Sequence, residues 1–227
     1  MPAPLSIIIP TLNAGEDLIS CLQSLTPGLQ TGLVRELLIV DGGSSDKTVL
    51  YAYEAGARVI CGASGRGRQL RAGAENARGD WLLFLHADSF LEQNWADALI
   101  GHMQAAPERA AYFQLAYRSD ASEARWLEAR ANRRAKWFGL PYGDQGLFLS
   151  RSLYEAVGGF PDQPLMEDVA IVRALGKSRL SGVTARAFTS AEKYERDGWR
   201  KRAYANAWLL TRYMLGASPE KLAQKYR

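Results

Sequence analysis

Short β-branched runs alternate with helix-period segments along the first half of the chain, and this alternation restricts the fold most. Leu5-Ser6-Ile7-Ile8-Ile9 ends at Pro10 and reads as a buried parallel strand. Leu18, Ile19, Leu22 and Leu25 then share one face of a helix over 16–25. A second strand, Glu36-Leu37-Leu38-Ile39-Val40, runs into the turn cluster Asp41-Gly42-Gly43-Ser44-Ser45-Asp46 and a helix over 47–55. Arg58-Val59-Ile60, a helix near 69–77 and the strand Trp81-Leu82-Leu83-Phe84-Leu85 complete a βαβαβαβ order. Such an order calls for an α/β fold, a mostly parallel central sheet flanked by helices on both faces.

In sheets of this kind, ligands bind beyond the carboxyl ends of the strands. Polar residues stand at those ends here: Thr11 and Asn13 after the first strand, Asp41 after the second, His86 and Asp88 after the fourth. One aspartate after a strand is an ordinary turn or cap residue. Three polar clusters on successive strand ends point to a site.

The second half is less regular. The spacing predicts a strand over 111–117, a helix over 122–138, a strand over 147–149, helices over 152–157 and 167–175, and a long helix over 199–215. No repeat or linker interrupts the 227 residues, so the expectation is one domain. Within it the expected division is a ligand-binding half over 1–110, a second half over 111–192 and a helical C-terminal segment over 193–227. That segment carries nine Lys/Arg against three Asp/Glu, which leaves −2 for the first 192 residues of a chain of net charge +4. A basic tail suits a solvated helix face, and it equally suits peripheral contact with an anionic membrane.

Composition excludes several classes. The net charge of +4 is small for a nucleic-acid binder, and no apolar run reaches the roughly 18 residues of a membrane span. The two cysteines, Cys21 and Cys61, can build neither a disulfide framework nor a thiolate zinc site. Met1-Pro2-Ala3-Pro4 lacks the features of a signal peptide, so the expected location is cytoplasmic, at most at the inner face of a membrane. Gly65-Arg66-Gly67-Arg68-Gln69-Leu70 puts leucine where a dinucleotide fingerprint needs its third glycine, and neither a P-loop nor a GxSxG elbow is present.

Carboxylates remain. Asp88, at the end of an apolar strand and in a chain with Arg66 and Arg68, suits a divalent cation on a diphosphate. It equally suits capping a helix that begins near Ser89 or Glu92. Glu167-Asp168 opens a helix, where the dipole favours negative charge, and adjacent carboxylates there also suit general-base chemistry.

Taken together, Ser6-Ile7-Ile8-Ile9-Pro10-Thr11-Leu12-Asn13 with Glu16, Leu38-Ile39-Val40-Asp41-Gly42-Gly43-Ser44-Ser45-Asp46, Phe84-Leu85-His86-Ala87-Asp88, Gly158-Gly159-Phe160 and Met166-Glu167-Asp168 resemble family 2 glycosyltransferases of the GT-A, Rossmann-like fold. The order holds from about residue 5 to 175. Arg66-Gly67-Arg68-Gln69, Tyr142-Gly143-Asp144-Gln145-Gly146 and the Gly198-Trp199 region look like a small bacterial subgroup named radical-SAM/selenodomain-associated.

The resemblance implies a hexosyltransferase with a nucleotide-sugar donor (UDP-sugar favoured over GDP-sugar), Mg2+ or Mn2+, and an inverting transfer to an acceptor hydroxyl. It implies that Thr11, Asn13, Glu16 and Asp41 line the nucleoside pocket, with Arg66 and Gln69 near the base or diphosphate. Asp88 becomes a metal ligand, Asp168 the base, and Glu167 the residue shaping the site. Asp144 and Gln145 suit contact with the donor sugar or acceptor and equally suit an ordinary turn, and Arg196 suits closing over the diphosphate as well as a solvated surface position. Two departures stand out. Gly42 replaces the second aspartate of Asp-Asp-Gly-Ser, and His86 replaces the first of the DxD-type motif, so His86 serves as a neutral metal ligand or stays outside the coordination sphere. A sugar nucleotidyltransferase would need a glycine-rich loop after the first strand, which Pro10-Thr11-Leu12-Asn13-Ala14 lacks. A nucleotide-sugar-binding module without catalysis is the remaining alternative.

Overall fold

The computed structural model describes residues 3–224, so Met1, Pro2 and the last three residues of the expected C-terminal segment lie outside the described residues. In chain order the elements are β1 (Leu5–Thr11), α1 (Gly15–Ser24), α2 (Thr26–Gln30), β2 (Val34–Asp41), α3 (Thr48–Glu54), β3 (Arg58–Cys61), α4 (Arg66–Asn76) and β4 (Trp81–Phe84). They continue with β5 (Phe90–Leu91), α5 (Trp95–Ala105), β6 (Ala110–Tyr117), α6 (Ser122–Phe138), β7 (Leu147–Ser150), α7 (Arg151–Ala156) and α8 (Glu167–Leu175). Last come β8 (Leu180–Thr189), α9 (Glu192–Asp197), α10 (Trp199–Met214) and α11 (Pro219–Ala223).

One eight-stranded sheet, in the order β3-β2-β1-β4-β7-β6-β8-β5, takes strands from Leu5 to Thr189. The pairings β1–β2, β1–β4, β2–β3 and β6–β8 are parallel, and the strands around β7 and β5 are antiparallel. Both faces are covered, as continuous apolar strands require. Ile7 and Ile9 enter one core with Leu18, Trp95 and Phe113, whereas Ile8 enters the other with Leu70, Phe84 and Leu147. A third cluster packs α6 against the ends of β6 through Leu115, Tyr117, Leu127 and Ala131.

Close helix–sheet contact explains Gly73: a Cβ there would strike the Ile8 side chain, so its absence lets α4 lie on β1. The helix expected near Ser89 or Glu92 begins only at Trp95, after the short strand β5, so Asp88 caps no helix. The spacing also gave no warning of β8. Its inward residues are small (Ala185, Ala187) and Gly182 interrupts the run, so its period of two is faint in hydrophobicity.

Candidate active site

The polar residues at the strand ends divide into those that build loops and those that face open space. Asp41 is buried and spends its carboxylate on its own turn. Oδ2 accepts from the Gly43 and Ser44 amides at 2.9 and 2.8 Å, and Oδ1 from the Ser44 and Thr11 hydroxyls at 2.5 and 3.0 Å. Burial alone would raise its pKa, but the Ser44, Gly43 and Thr11 hydrogen bonds outweigh it and hold the carboxyl below its usual range. Asn13 adopts a left-handed conformation (φ 50°), and its Oδ1 accepts from the Ser45 amide at 2.8 Å, tying the two strand-end loops together. Gln69 is buried, and its amide donates to the main-chain oxygens of Thr11 and Val40 at 2.8 and 2.7 Å. Asp41 and Gln69 thus build the floor of the loops rather than present free polar atoms.

His86 and Asp88 follow β4. Burial, then the Arg66 guanidinium, pushes the His86 imidazole down to about 4 against the opposing pull of Asp88 and Asp168, so the ring is neutral near pH 7. Asp88 Oδ1 accepts from the Ser89 hydroxyl at a long 3.4 Å. Its backbone is fixed from the other side, where Arg118 donates to the Asp88 main-chain oxygen at 3.2 Å and to Asp17 Oδ1 at 2.8 Å.

The start of α8 supplies the acid pair. Met166 precedes it with φ 64°, a strained conformation for a non-glycine residue, and turns the chain so that Glu167 points inward and is buried. Glu167 meets Arg66 at 3.4 Å. Burial, then the adjacent Asp168 charge, raises the Glu167 carboxyl above its ordinary range, with Arg66 opposing. Asp168 accepts from the Val169 amide through Oδ1 and from the Gly143 amide through Oδ2, both at 2.8 Å. Those bonds fix the carboxylate's orientation. Gly67 opens the space for this junction, since a Cβ there would strike the Pro161 carbonyl and approach the Glu167 side chain.

Two cavities meet over these residues. A cleft of about 560 Å³ is lined by Thr11, Asn13, Asp17, Gly65 and Gln69, and a smaller cavity of about 180 Å³ by Tyr142, Gly143, Asp144, Glu167 and Asp168. Arg66, His86, Asp88, Leu165, Ser190 and Lys193 line both. Asp144 carries a buried Oδ1 with no hydrogen-bond partner, and burial pushes its carboxyl up to about 6, with Arg134 opposing and the Asp168 and Asp88 charges adding to the rise.

The expected set is therefore brought together only in part. Thr11, Asn13, Arg66, Gln69, His86, Asp88, Asp144, Glu167 and Asp168 line the joined cavities. Glu16 is exposed on α1, and its neighbour Asp17 lines the cleft instead. Asp41 lies beneath the turn and outside the lining. Gln145 is fully buried with its amide on the Phe113 carbonyl at 3.0 Å, at the irregularity in the β6–β8 pairing between Tyr112 and Gln114, where a buried carbonyl needs a partner. Arg196 is exposed, bonded to Asp197 at 2.8 Å and outside both linings. The spacing also gave no pointer to Ser190 and Lys193, which enter the site only because β8 ends there.

Residues 6–160 match Glycosyl transferase family 2. The chain belongs to that family. A PGL/p-HBAD biosynthesis glycosyltransferase of Mycobacterium bovis is 42% identical over 107 residues, covering 44% of this chain and 40% of that protein. A glucosyl-3-phosphoglycerate synthase of Mycolicibacterium paratuberculosis is 33% identical over 93 residues, covering 37% and 28%. The family 2 chain thus spans less than half the length of these curated relatives.

Solved structures extend the likeness to the fold. Glucosyl-3-phosphoglycerate synthase from Mycobacterium tuberculosis, in complex with Mn2+, UDP and glucosyl-3-phosphoglycerate, superposes with a TM-score of 0.58 at 22% identity, over 83% of this chain and 70% of that one. S. aureus TarS 1-349, in complex with UDP-GlcNAc, gives 0.63 at 14% identity, over 82% and 58%. The family 2 chain shares their GT-A fold.

Its donor set fits a hard divalent cation in one specific way. Among the described residues, no three His, Cys, Asp or Glu side chains converge as a metal cage. One carboxylate, Asp88, and one neutral imidazole, His86, stand at the junction of the cavities. Mg2+ and Mn2+ accept such sparse protein ligation because they keep water and take phosphate oxygens.

Proposed function

We propose that this chain transfers a hexose from a nucleotide-sugar donor to an acceptor hydroxyl with inversion at the anomeric carbon. The observation that carries the reading is the meeting of a nucleotide-sized cleft and a smaller cavity at Arg66, His86 and Asp88, with Asp168 oriented in the smaller one. The nucleoside occupies the cleft between Thr11, Asn13 and Asp17, and its diphosphate reaches Arg66 and Lys193 at the junction. A UDP-sugar is the favoured donor, supported by the UDP and UDP-GlcNAc bound to the structural neighbours.

Asp168 is the base. Its carboxylate takes the proton of the acceptor hydroxyl as that oxygen bonds to the anomeric carbon from the face opposite the diphosphate. The carbon–oxygen bond to the diphosphate breaks, and the nucleoside diphosphate leaves with the electron pair. Arg66 and Lys193 supply positive charge where the leaving group gains negative charge, which stabilises the transition state more than the bound donor. A divalent cation held by Asp88, with or without His86, would add Lewis-acid charge at the same place. Asp144 lines the smaller cavity, where its carboxyl accepts a hydrogen bond from a sugar or acceptor hydroxyl. Membership of the radical-SAM/selenodomain-associated subgroup rests on the sequence resemblance of the Arg66-Gly67-Arg68-Gln69 and Tyr142–Gly146 motifs alone.

The test is thermal stabilisation by UDP and GDP, with and without Mn2+, together with release of free sugar or nucleotide from the corresponding UDP- and GDP-sugars. A Mn2+-dependent shift with UDP, lost in Asp88→Ala, and slow donor consumption are expected. A shift without any donor consumption across acceptors would favour the binding module. Pyrophosphate release from UTP and a sugar phosphate would favour the nucleotidyltransferase.

A further inference from the structure

A second groove, of about 490 Å³, lies between α6 and α10 and opens beside the candidate active site. Its inner end shares Tyr117, Tyr142, Asp144, Tyr194 and Asn206 with the smaller catalytic cavity. Its outer rim is unusual for a protein surface. Trp126 and Trp137 on α6 are 43% and 59% exposed, and Phe138 ends that helix at 68%. On α10, Tyr204 lines the groove and is 72% exposed; Trp208, one turn on, is exposed at 64%, and Leu215 beyond the helix at 82%. Scattered exposed apolar residues need no explanation, but large aromatic rings gathered on two adjacent helices do.

The charge on the same helices has one sign. Arg125, Arg130, Arg133, Lys136, Arg200 and Lys201 are exposed, against Glu123 as the one exposed acid of α6 and none on α10. Arg130 lies over the Trp126 ring at 4.7 Å, so cation and ring are interleaved rather than segregated. Tryptophan and tyrosine beside arginine and lysine is the composition of an interfacial helix, with rings at headgroup depth and cations on lipid phosphates. Among the described residues no helix is long and apolar enough to cross a membrane, so such a face would bind from the side.

We propose that the α6–α10 face docks on an anionic phospholipid bilayer, with the groove leading from the lipid surface to Asp144 and the catalytic cavity. Charge complementarity selects the bilayer over a second copy of this chain, because two such faces would bring like charges together. The contact differs from one made by the far C-terminal basic residues. It uses aromatic insertion as well as attraction, and it sets the cavity mouth toward the lipid.

Co-sedimentation with vesicles of phosphatidylcholine alone, or mixed with phosphatidylglycerol, tests this in the intact chain. Binding to the mixed vesicles with a blue shift of tryptophan emission is expected, and weak binding to phosphatidylcholine alone. Trp137→Ser/Phe138→Ser, Trp208→Ser and Arg130→Glu/Arg133→Glu should each weaken binding about tenfold or more, whereas Lys221→Glu on α11 should not. These positions are exposed, so unchanged melting in the variants is expected and separates lost docking from lost folding. Failure to bind mixed vesicles, equal binding by all variants, or loss confined to Lys221→Glu would each overturn the proposal. So would concentration-dependent dimerisation abolished by the aromatic variants. The vesicle readout needs no donor, so its failure leaves the transferase reading standing.

Discussion

The Gly143 amide donates to Asp168 Oδ2 at 2.8 Å, while a Cβ on Gly143 would lie 2.5 Å from His86 Nε2. One residue without a side chain therefore lets three strand and helix ends converge: the turn before β7, the end of β4 and the start of α8. Gly143→Ala should displace the imidazole or break the amide bond to Asp168. Turnover is expected to fall at least about a hundredfold, in line with a misplacement near 1 Å at a reacting group. Because Gly143 lies outside the nucleoside cleft, UDP affinity measured calorimetrically should change far less.

Asp168→Asn keeps the size of the side chain and its acceptor oxygen but removes the base. Donor binding should persist, and the rate of transfer should fall by about 10²–10⁴. A single-turnover assay with the natural or surrogate acceptor reads the chemical step directly. Glu167→Gln is the useful companion. It releases Arg66 from its 3.4 Å ion pair, so it should alter donor KM as well as kcat.

The first half of the fold was legible because β-branched residues announce strands: Ile7-Ile8-Ile9 and Leu38-Ile39-Val40 lie in β1 and β2, which pair in parallel as expected. The later strands were harder. β7 was found from Leu147-Phe148-Leu149, but β8 hides its alternation behind alanines, and with it went Ser190 and Lys193. Site residues divide by the same logic. Strand-end position pointed to Asp88 and helix-start position to Asp168, and both line the cavities. Position along the chain cannot say which way a side chain turns, so it does not separate exposed Glu16 from Asp17, which the packing of α1 turns into the cleft. Nor can it say whether a polar group is already spent, as the amides of Gln69 and Gln145 are.

Gln69 gives a test of that distinction. Its amide donates to the carbonyls at the ends of β1 and β2, so Gln69→Leu should remove both bonds, with the Gly42 amide still reaching the Thr11 oxygen at 2.9 Å. A loss of about 1–3 kcal/mol is expected from the two buried hydrogen bonds removed. Denaturant melts without nucleotide measure it. If Gln69 instead served chiefly the nucleotide, stability would hold and only UDP affinity would drop.

Asp144 offers a pH signature independent of catalysis. Its carboxyl is raised to about 6 by burial, with Arg134 opposing and the Asp168 and Asp88 charges reinforcing. A carboxyl that binds its proton more tightly when folded favours the native state most below the unfolded pKa of about 4. That contribution is lost as pH rises through about 6, where the buried group must ionise without a partner for Oδ1. Asp144→Asn removes the titration. Relative to the parent, the variant should therefore gain stability between pH 4 and pH 7, by about 1–3 kcal/mol. Urea melts of both proteins across that range, in EDTA to exclude metal, read the difference. A gap that stayed constant with pH would mean that Asp144 is solvated and already charged at pH 4.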